Sequence, residues 1–176
     1  QEIEDILVLK NNKGTEDNRV RKLDYSIQIS KLFYERFIKN TDITLFSPNQ
    51  VPGLYEAFGM PEFDSLYVKY EKDKSIPKQT IGAQELFQAL LKERAETGRI
   101  YIMNLDHCNT HSSFKDKIYM SNLCQEITLP TTPVQHIDDK EGEIALCILS
   151  AINLGLLTDM NELEELCDLS VRALDE

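Results

Sequence analysis

Three residues with different chemistries alternate along Ser121-Asn122-Leu123-Cys124-Gln125-Glu126-Ile127-Thr128-Leu129-Pro130-Thr131: the amide Asn122, the thiol Cys124 and the carboxylate Glu126. On an extended chain, side chains two apart point the same way, so this spacing predicts that all three face one pocket. They would offer a hydrogen-bonding amide, a sulfur centre and a proton acceptor to a common substrate. A second thiol, Cys147, follows in Gly142-Glu143-Ile144-Ala145-Leu146-Cys147-Ile148-Leu149-Ser150-Ala151-Ile152-Asn153-Leu154-Gly155, an almost unbroken apolar run. Such a run reads as a strand covered on both faces.

The elements that must position these residues alternate between strand and helix patterns. A helical pattern opens the chain at Glu2 to Leu9. Tyr25 to Ile29 alternates as a strand and runs into a helical Lys31 to Ile38, and Ile43 to Phe46 is a second strand stopped by Pro48. An aromatic-rich helical stretch from Tyr55 to Tyr70 is broken at Gly59-Met60-Pro61. A strong helix over Ala83 to Ala95 turns Leu86, Phe87, Leu90 and Leu91 inward and stops at Gly98. Arg99 to Leu105 makes a third strand and Ile144 to Leu154 a fourth, with the Cys124 segment between them. A final helix starts from the capping pair Asp159 and Glu162 and carries Leu163, Leu166, Ser170 and Leu174 on one face. This alternation predicts an α/β fold with a largely parallel sheet.

Composition bounds the function. The chain of 176 residues is 41% apolar and 28% charged, as in an ordinary soluble protein, and its longest apolar stretch is too interrupted to span a membrane. No basic-then-apolar leader opens it, which reads as cytoplasmic. The net charge of -11 argues against a nucleic-acid surface. Cys108, Cys124, Cys147 and Cys167 are spaced too irregularly for a disulfide framework and are expected as reduced thiols, with Cys108 and Cys167 as small buried hydrophobes. His107-Cys108-Asn109-Thr110-His111 has candidate zinc ligands, but without finger spacing or a second ligand pair it reads as a hydrogen-bonded turn after the Ile100 strand. His136 stands alone in a polar loop, and Asp138-Asp139-Lys140-Glu141 reads as a solvated turn.

The patterns S-N-L-C-x-E-I-x-L-P-T and G-E-I-A-L-C-x-L-S-A-x-N-L-G, read at residues 121–131 and 142–155, resemble the large, catalytic subunit of class I ribonucleotide reductase. Leu7 to Asn12, Asp42 to Pro48, Val51 to Tyr55, Gly98 to Ile102 and Asp106 to His111 agree with it, so the resemblance covers essentially the whole chain. It implies a piece, about half, of a ten-stranded α/β barrel: one segment, residues 1–176, cut at both ends, with no second domain. The implied activity is thiyl-radical reduction of ribonucleoside diphosphates to deoxyribonucleoside diphosphates. By the resemblance, Cys124 carries the radical, Glu126 is the base, Asn122 binds the substrate hydroxyls, and Cys147 is one of two redox-active thiols whose partner lies upstream of residue 1.

The same resemblance implies that this segment binds no cofactor or metal of its own. The radical would come from a separate metal-containing small subunit, and nucleotide effectors would bind outside the segment. Partners would be the remainder of the large subunit and a thioredoxin or glutaredoxin system acting through a C-terminal tail. No Gly-rich phosphate loop occurs here, so the diphosphate would be held by other sequence. The piece is expected to be inactive alone. The rival reading is a non-catalytic assembly piece of a split subunit, which only associates with complementary chains.

Overall fold

The computed structural model describes residues 2–11, 17, 20 and 22–175. Asn12, the last residue of the matching Leu7 segment, lies outside them. The described residues gather into two compact units, Gln1–Thr131 and Thr132–Glu176.

The first unit is mixed α/β. Its elements are α1 (Glu2–Leu7), β1 (Ser26–Ile29), α2 (Lys31–Lys39), β2 (Asp42–Leu45), α3 (Leu54–Ala57), α4 (Phe63–Lys72), β3 (Gln79–Gly82), α5 (Ala83–Thr97), β4 (Tyr101–Asn104) and α6 (Leu105–Thr110). β1 pairs with β4 in parallel, Ser26 opposite Tyr101 and Ile29 opposite Asn104. β2 pairs with β3 antiparallel, Asp42 opposite Gly82 and Leu45 opposite Gln79. The largely parallel sheet therefore gives way to two separate two-stranded sheets, and the described residues form no closed barrel.

Local chemistry explains the element ends. The Ser30 hydroxyl caps α2 by accepting from Phe33 N at 3.4 Å, and Asn40 ends it in the left-handed region at φ 51°. α5 ends on Gly98 at φ 66°, as its sequence predicts. Ile100 is also left-handed, at φ 63°, so the strand begins at Tyr101 rather than Arg99. A β-branched residue there is strained, and its near-complete burial holds it in place. On α5 the inward stripe centres on Leu86, Leu90 and Glu93, which leaves Leu91 a 100° step away and 43% exposed, contrary to expectation.

β4 shows period-two burial. Ile102 packs with Leu7, Ile29, Leu90 and Ile100 beneath α5, while Met103 packs on the opposite face with Leu105 and Ile118. A third cluster joins Leu32, Val51, Leu54, Ala57, Phe63 and Tyr67 around α3 and α4.

β2 was expected to belong to the barrel sheet, yet its outer edge is closed. The Tyr67 hydroxyl donates to Thr44 O and accepts from Thr44 N, both at 2.7 Å, consuming the groups through which another strand would pair. Arg36 holds this corner by donating twice to Glu71, at 2.5 and 2.6 Å, and Thr44 Oγ1 donates to the same carboxylate at 2.7 Å. β3 carries no alternating pattern and was not predicted; it follows Pro77 and is exposed over its first two residues.

In the second unit, Thr132 and Glu143 form an isolated antiparallel bridge and α7 (Leu163–Asp175) follows a 3₁₀ turn at Met160–Glu162. Asp159 caps that turn by accepting from Asn161 N at 2.9 Å. Leu163, Leu166, Ser170 and Leu174 are half-buried while their neighbours are exposed, the face their spacing predicts. The turn expected at Asp138–Glu141 lies slightly earlier, closed by Asp139 N donating to His136 O at 3.0 Å, and the Asp139 carboxylate accepts from Gln135 N and Glu141 N, both at 2.9 Å. The predicted fourth strand at Ile144–Leu154 does not form: its first ten residues have no regular structure, and Ile144, Leu146 and Leu149 are 71%, 73% and 82% exposed. A strand of that composition needs a partner for its backbone and cover on both faces, and the second unit supplies neither.

Two predictions follow from the β2 corner. Tyr67→Phe leaves the buried Thr44 backbone groups unpaired and should lower stability by about 1–3 kcal/mol in urea unfolding. The carboxyl of Glu71 is held below its usual 4.5 first by the Arg36 hydrogen bonds. A depressed folded value contributes stability above the unfolded value and loses it as pH falls through the folded one. Glu71→Gln should therefore be less stable than the parent near neutrality, with the gap closing in acid; a gap independent of pH would contradict the assignment.

Candidate active site

The Met103 face of β4 packs against Ile118, from which the chain runs on to Asn122, Cys124 and Glu126. α6 follows β4 directly, so the sequence from His107 to His111 forms most of a short helix in place of the expected turn. Asn109 on α6 holds the chain on its way to the loop. Its Oδ1 accepts from Ile118 N at 2.8 Å and its Nδ2 donates to Ile118 O at 3.0 Å, copying a β-bridge with one side chain. Ile118 is fully buried. Gln28 on β1, opposite Met103, donates through Nε2 to Tyr119 O at 2.6 Å.

Beyond Tyr119 the chain closes into a loop. Ser121 Oγ donates to Ile127 O at 2.5 Å, and Asn122 Oδ1 accepts from Ile127 N at 3.0 Å. Within this neck, Gln125 N donates to Asn122 O at 3.2 Å and Gln125 stands at φ 69°. These bonds make a tight turn over Asn122–Gln125. The expected extended segment is thus overturned: Asn122, Cys124 and Glu126 share one loop without the same-side alternation of a strand. Asn122 is half-buried with its oxygen committed to the neck, whereas Cys124 and Glu126 are exposed.

Neighbouring chemistry is sparse. An open cavity of about 610 Å³ is lined by His107, Cys108, His111 and Phe114 with Thr128 and Leu129 from the loop's outgoing arm, and not by Asn122, Cys124 or Glu126. The His107 and His111 rings meet edge-on with centroids 5.7 Å apart. Among the described residues, no group of three or more His, Cys, Asp or Glu side chains converges as a metal site. Burial raises the Cys108 thiol above its ordinary value. Cys167 is exposed on α7, contrary to its expected burial, and Cys147 is exposed in the second unit.

Residues 1–176 match the family profile of the ribonucleotide reductase barrel domain. The chain belongs to that family. It is 59% identical to the ribonucleoside-diphosphate reductase subunit alpha of Buchnera aphidicola subsp. Schizaphis graminum and 60% identical to that of Haemophilus influenzae, in each case over 99% of this chain and 24% of the relative. It is 60% identical over 76% of its length to 18% of the ribonucleoside-diphosphate reductase 1 subunit alpha of Escherichia coli. The chain thus spans about a quarter of the relatives it matches over nearly its full length.

Within this ribonucleotide reductase barrel segment, the family pattern falls on the neck and turn. Sequence reasoning singled out the three chemical side chains but missed Ser121 as the neck's donor and Gln28 and Asn109 as its supports. The signal for Asn109 was its place in the Asp106–His111 match; a lone Gln on a strand gave none for Gln28. No described helix is long and apolar enough to cross a membrane.

Exposure sets the order of thiol reactivity. Cys147 was expected within a strand covered on both faces, and it is exposed instead. In a timed iodoacetamide reaction of the reduced chain, read by peptide mass spectrometry, Cys124, Cys147 and Cys167 should be modified before Cys108.

Proposed function

We propose that the chain is part of the catalytic subunit of a ribonucleoside-diphosphate reductase, which converts ribonucleoside diphosphates to deoxyribonucleoside diphosphates for DNA synthesis. The observation that carries this reading is the family match over residues 1–176, with the S-N-L-C-x-E-I pattern on a pinned loop that presents Cys124 to its surroundings.

In this reading Cys124, as a thiyl radical, takes the 3′ hydrogen atom of the ribose. The S–H bond is weak enough for that exchange to be reversible, so Cys124 acts as a hydrogen-atom carrier rather than as a thiolate. Glu126 takes the 3′-hydroxyl proton. Asn122 donates to the substrate hydroxyls through Nδ2, because its Oδ1 already accepts from Ile127 N. The 2′ oxygen leaves as water, and two thiols supply the two electrons and end as a disulfide. Cys147 is one of them, and the other belongs to a segment upstream of the chain.

The remaining parts of the reading come from outside these residues. The rest of the large subunit supplies the phosphate site and the nucleotide effector sites, in keeping with the acidic balance of this segment. A separate metal-containing small subunit generates the radical, and a thioredoxin or glutaredoxin system restores the thiols through the C-terminal tail. The setting is the cytoplasm, with neither nucleic acid nor membrane as partner.

The alternative, a piece whose own role is only to associate with complementary chains, is favoured by the exposure of Ile144, Leu146, Ile148 and Leu149. The two readings diverge in a reconstituted enzyme. In the complete subunit with its radical-generating partner, Cys124→Ser should abolish turnover while nucleotide binding persists, and Glu126→Gln should lower kcat by about 10²- to 10⁴-fold. Turnover by Cys124→Ser would refute the radical role and leave the assembly reading standing.

A further inference from the structure

The Asp106–His111 motif is unused by the proposed chemistry, and the structure gives one of its members a task. Asn109 spends both ends of its amide on Ile118, and Nδ2 also reaches Leu105 O at 3.2 Å, so the chain six residues ahead of Cys124 is tied to the start of α6. Gly59 stands at φ 77° against this joint. A Cβ there would lie 2.6 Å from Leu105 Cγ and 3.1 Å from Asn109 Nδ2, so the close approach excludes any larger residue. Ser121 then ties the incoming arm of the loop to the outgoing arm at Ile127.

We infer that Asn109 and Ser121 are positioning residues for Cys124, Asn109 fixing the incoming arm against β4 and α6 and Ser121 closing the neck of the turn that presents the thiol. The inference rests on the radical role proposed for Cys124. A hydrogen-atom transfer requires the sulfur within van der Waals reach of the 3′ carbon, so a loosened neck slows that step more than it weakens nucleotide binding.

Three features make the assignment specific. The neck bonds are made by a serine and an asparagine whose neighbours Leu123 and Cys124 are exposed, so packing alone does not set the turn. Gln125 occupies the left-handed region, which a non-glycine residue adopts only when its surroundings enforce it. The two ties are independent, Asn109 acting on Ile118 and Ser121 on Ile127, so loss of one leaves the other in place.

The test uses the complete large subunit with its radical-generating small subunit, a ribonucleoside diphosphate and its 3′-deuterated form. Ser121→Ala removes one hydroxyl and no core contact. It should lower kcat about tenfold with KM changed by less than about twofold. The deuterium effect on kcat should rise, because hydrogen transfer becomes the slower step. Ser121→Thr, which keeps the hydroxyl, should recover most of kcat and the parent isotope effect. Asn109→Ala should act in the same direction; should it fail to fold, the Ser121 pair decides alone. Unchanged kcat and isotope effect in Ser121→Ala would overturn the inference, as would parallel losses in kcat, KM and melting temperature at an unchanged isotope effect. Cys124→Ser run alongside separates the two levels. If it is dead while Ser121→Ala is normal, only the positioning role falls; if it turns over, the radical reading falls with it.

Discussion

The parallel pairing of β1 with β4 is the constraint on which the first unit depends. It joins residues 75 apart in sequence, as between Gln28 and Met103. Closing a chain segment of that length costs about 4 kcal/mol of entropy beyond a constant term. A two-stranded sheet does not repay this through its own hydrogen bonds. Burial on both faces of β4 does: Ile102 enters the cluster under α5 and Met103 the cluster with Leu105 and Ile118. The second of these clusters also fixes the base of the Cys124 loop. Stability and site placement therefore share one strand, and damage to the pairing would unseat the loop.

The excursion between the two strands folds as a body with its own closure. Tyr67 spends its hydroxyl on both backbone groups of Thr44, and the Arg36–Glu71 pair braces the same corner. The antiparallel pair of β2 and β3 is thereby finished on that side and adds no strand to the sheet of β1 and β4. Lys78 contributes by donating to Tyr70 O and Glu71 O at 3.1 and 2.6 Å, satisfying carbonyls at the C-terminal end of α4. Polar side chains here do the work that further strands would do in a larger sheet.

What the sequence revealed follows from the range of the forces involved. α2, α5 and α7 were legible because capping residues and periodic burial are local. β3 was hidden because its partner, not its composition, makes it a strand. Asn122, Cys124 and Glu126 were legible as a chemical set, but their shared face was not: residue spacing assumes an extended backbone, and the turn depends on Ser121 meeting Ile127 across the neck. The overestimate at Ile144–Leu154 has the opposite cause, since apolar composition records a demand for cover and not whether the chain itself meets it.

That unmet demand bears on how the two thiols differ. Cys124 is set by bonds within residues 109–127 of a single unit, so the chain carries the means to shape its turn. Cys147 has no such local frame. It sits among Ile144, Leu146, Ile148 and Leu149, all exposed, in a unit whose only described bridge joins Thr132 to Glu143. Aliphatic side chains left exposed forgo about 25 cal/mol per Å² of apolar surface not covered. A redox role requires the Cys147 sulfur to meet a second thiol at bonding distance, which an unframed segment cannot ensure. The geometry of the Cys124 turn is thus intrinsic to this segment, while that of Cys147 depends on whatever covers the apolar run.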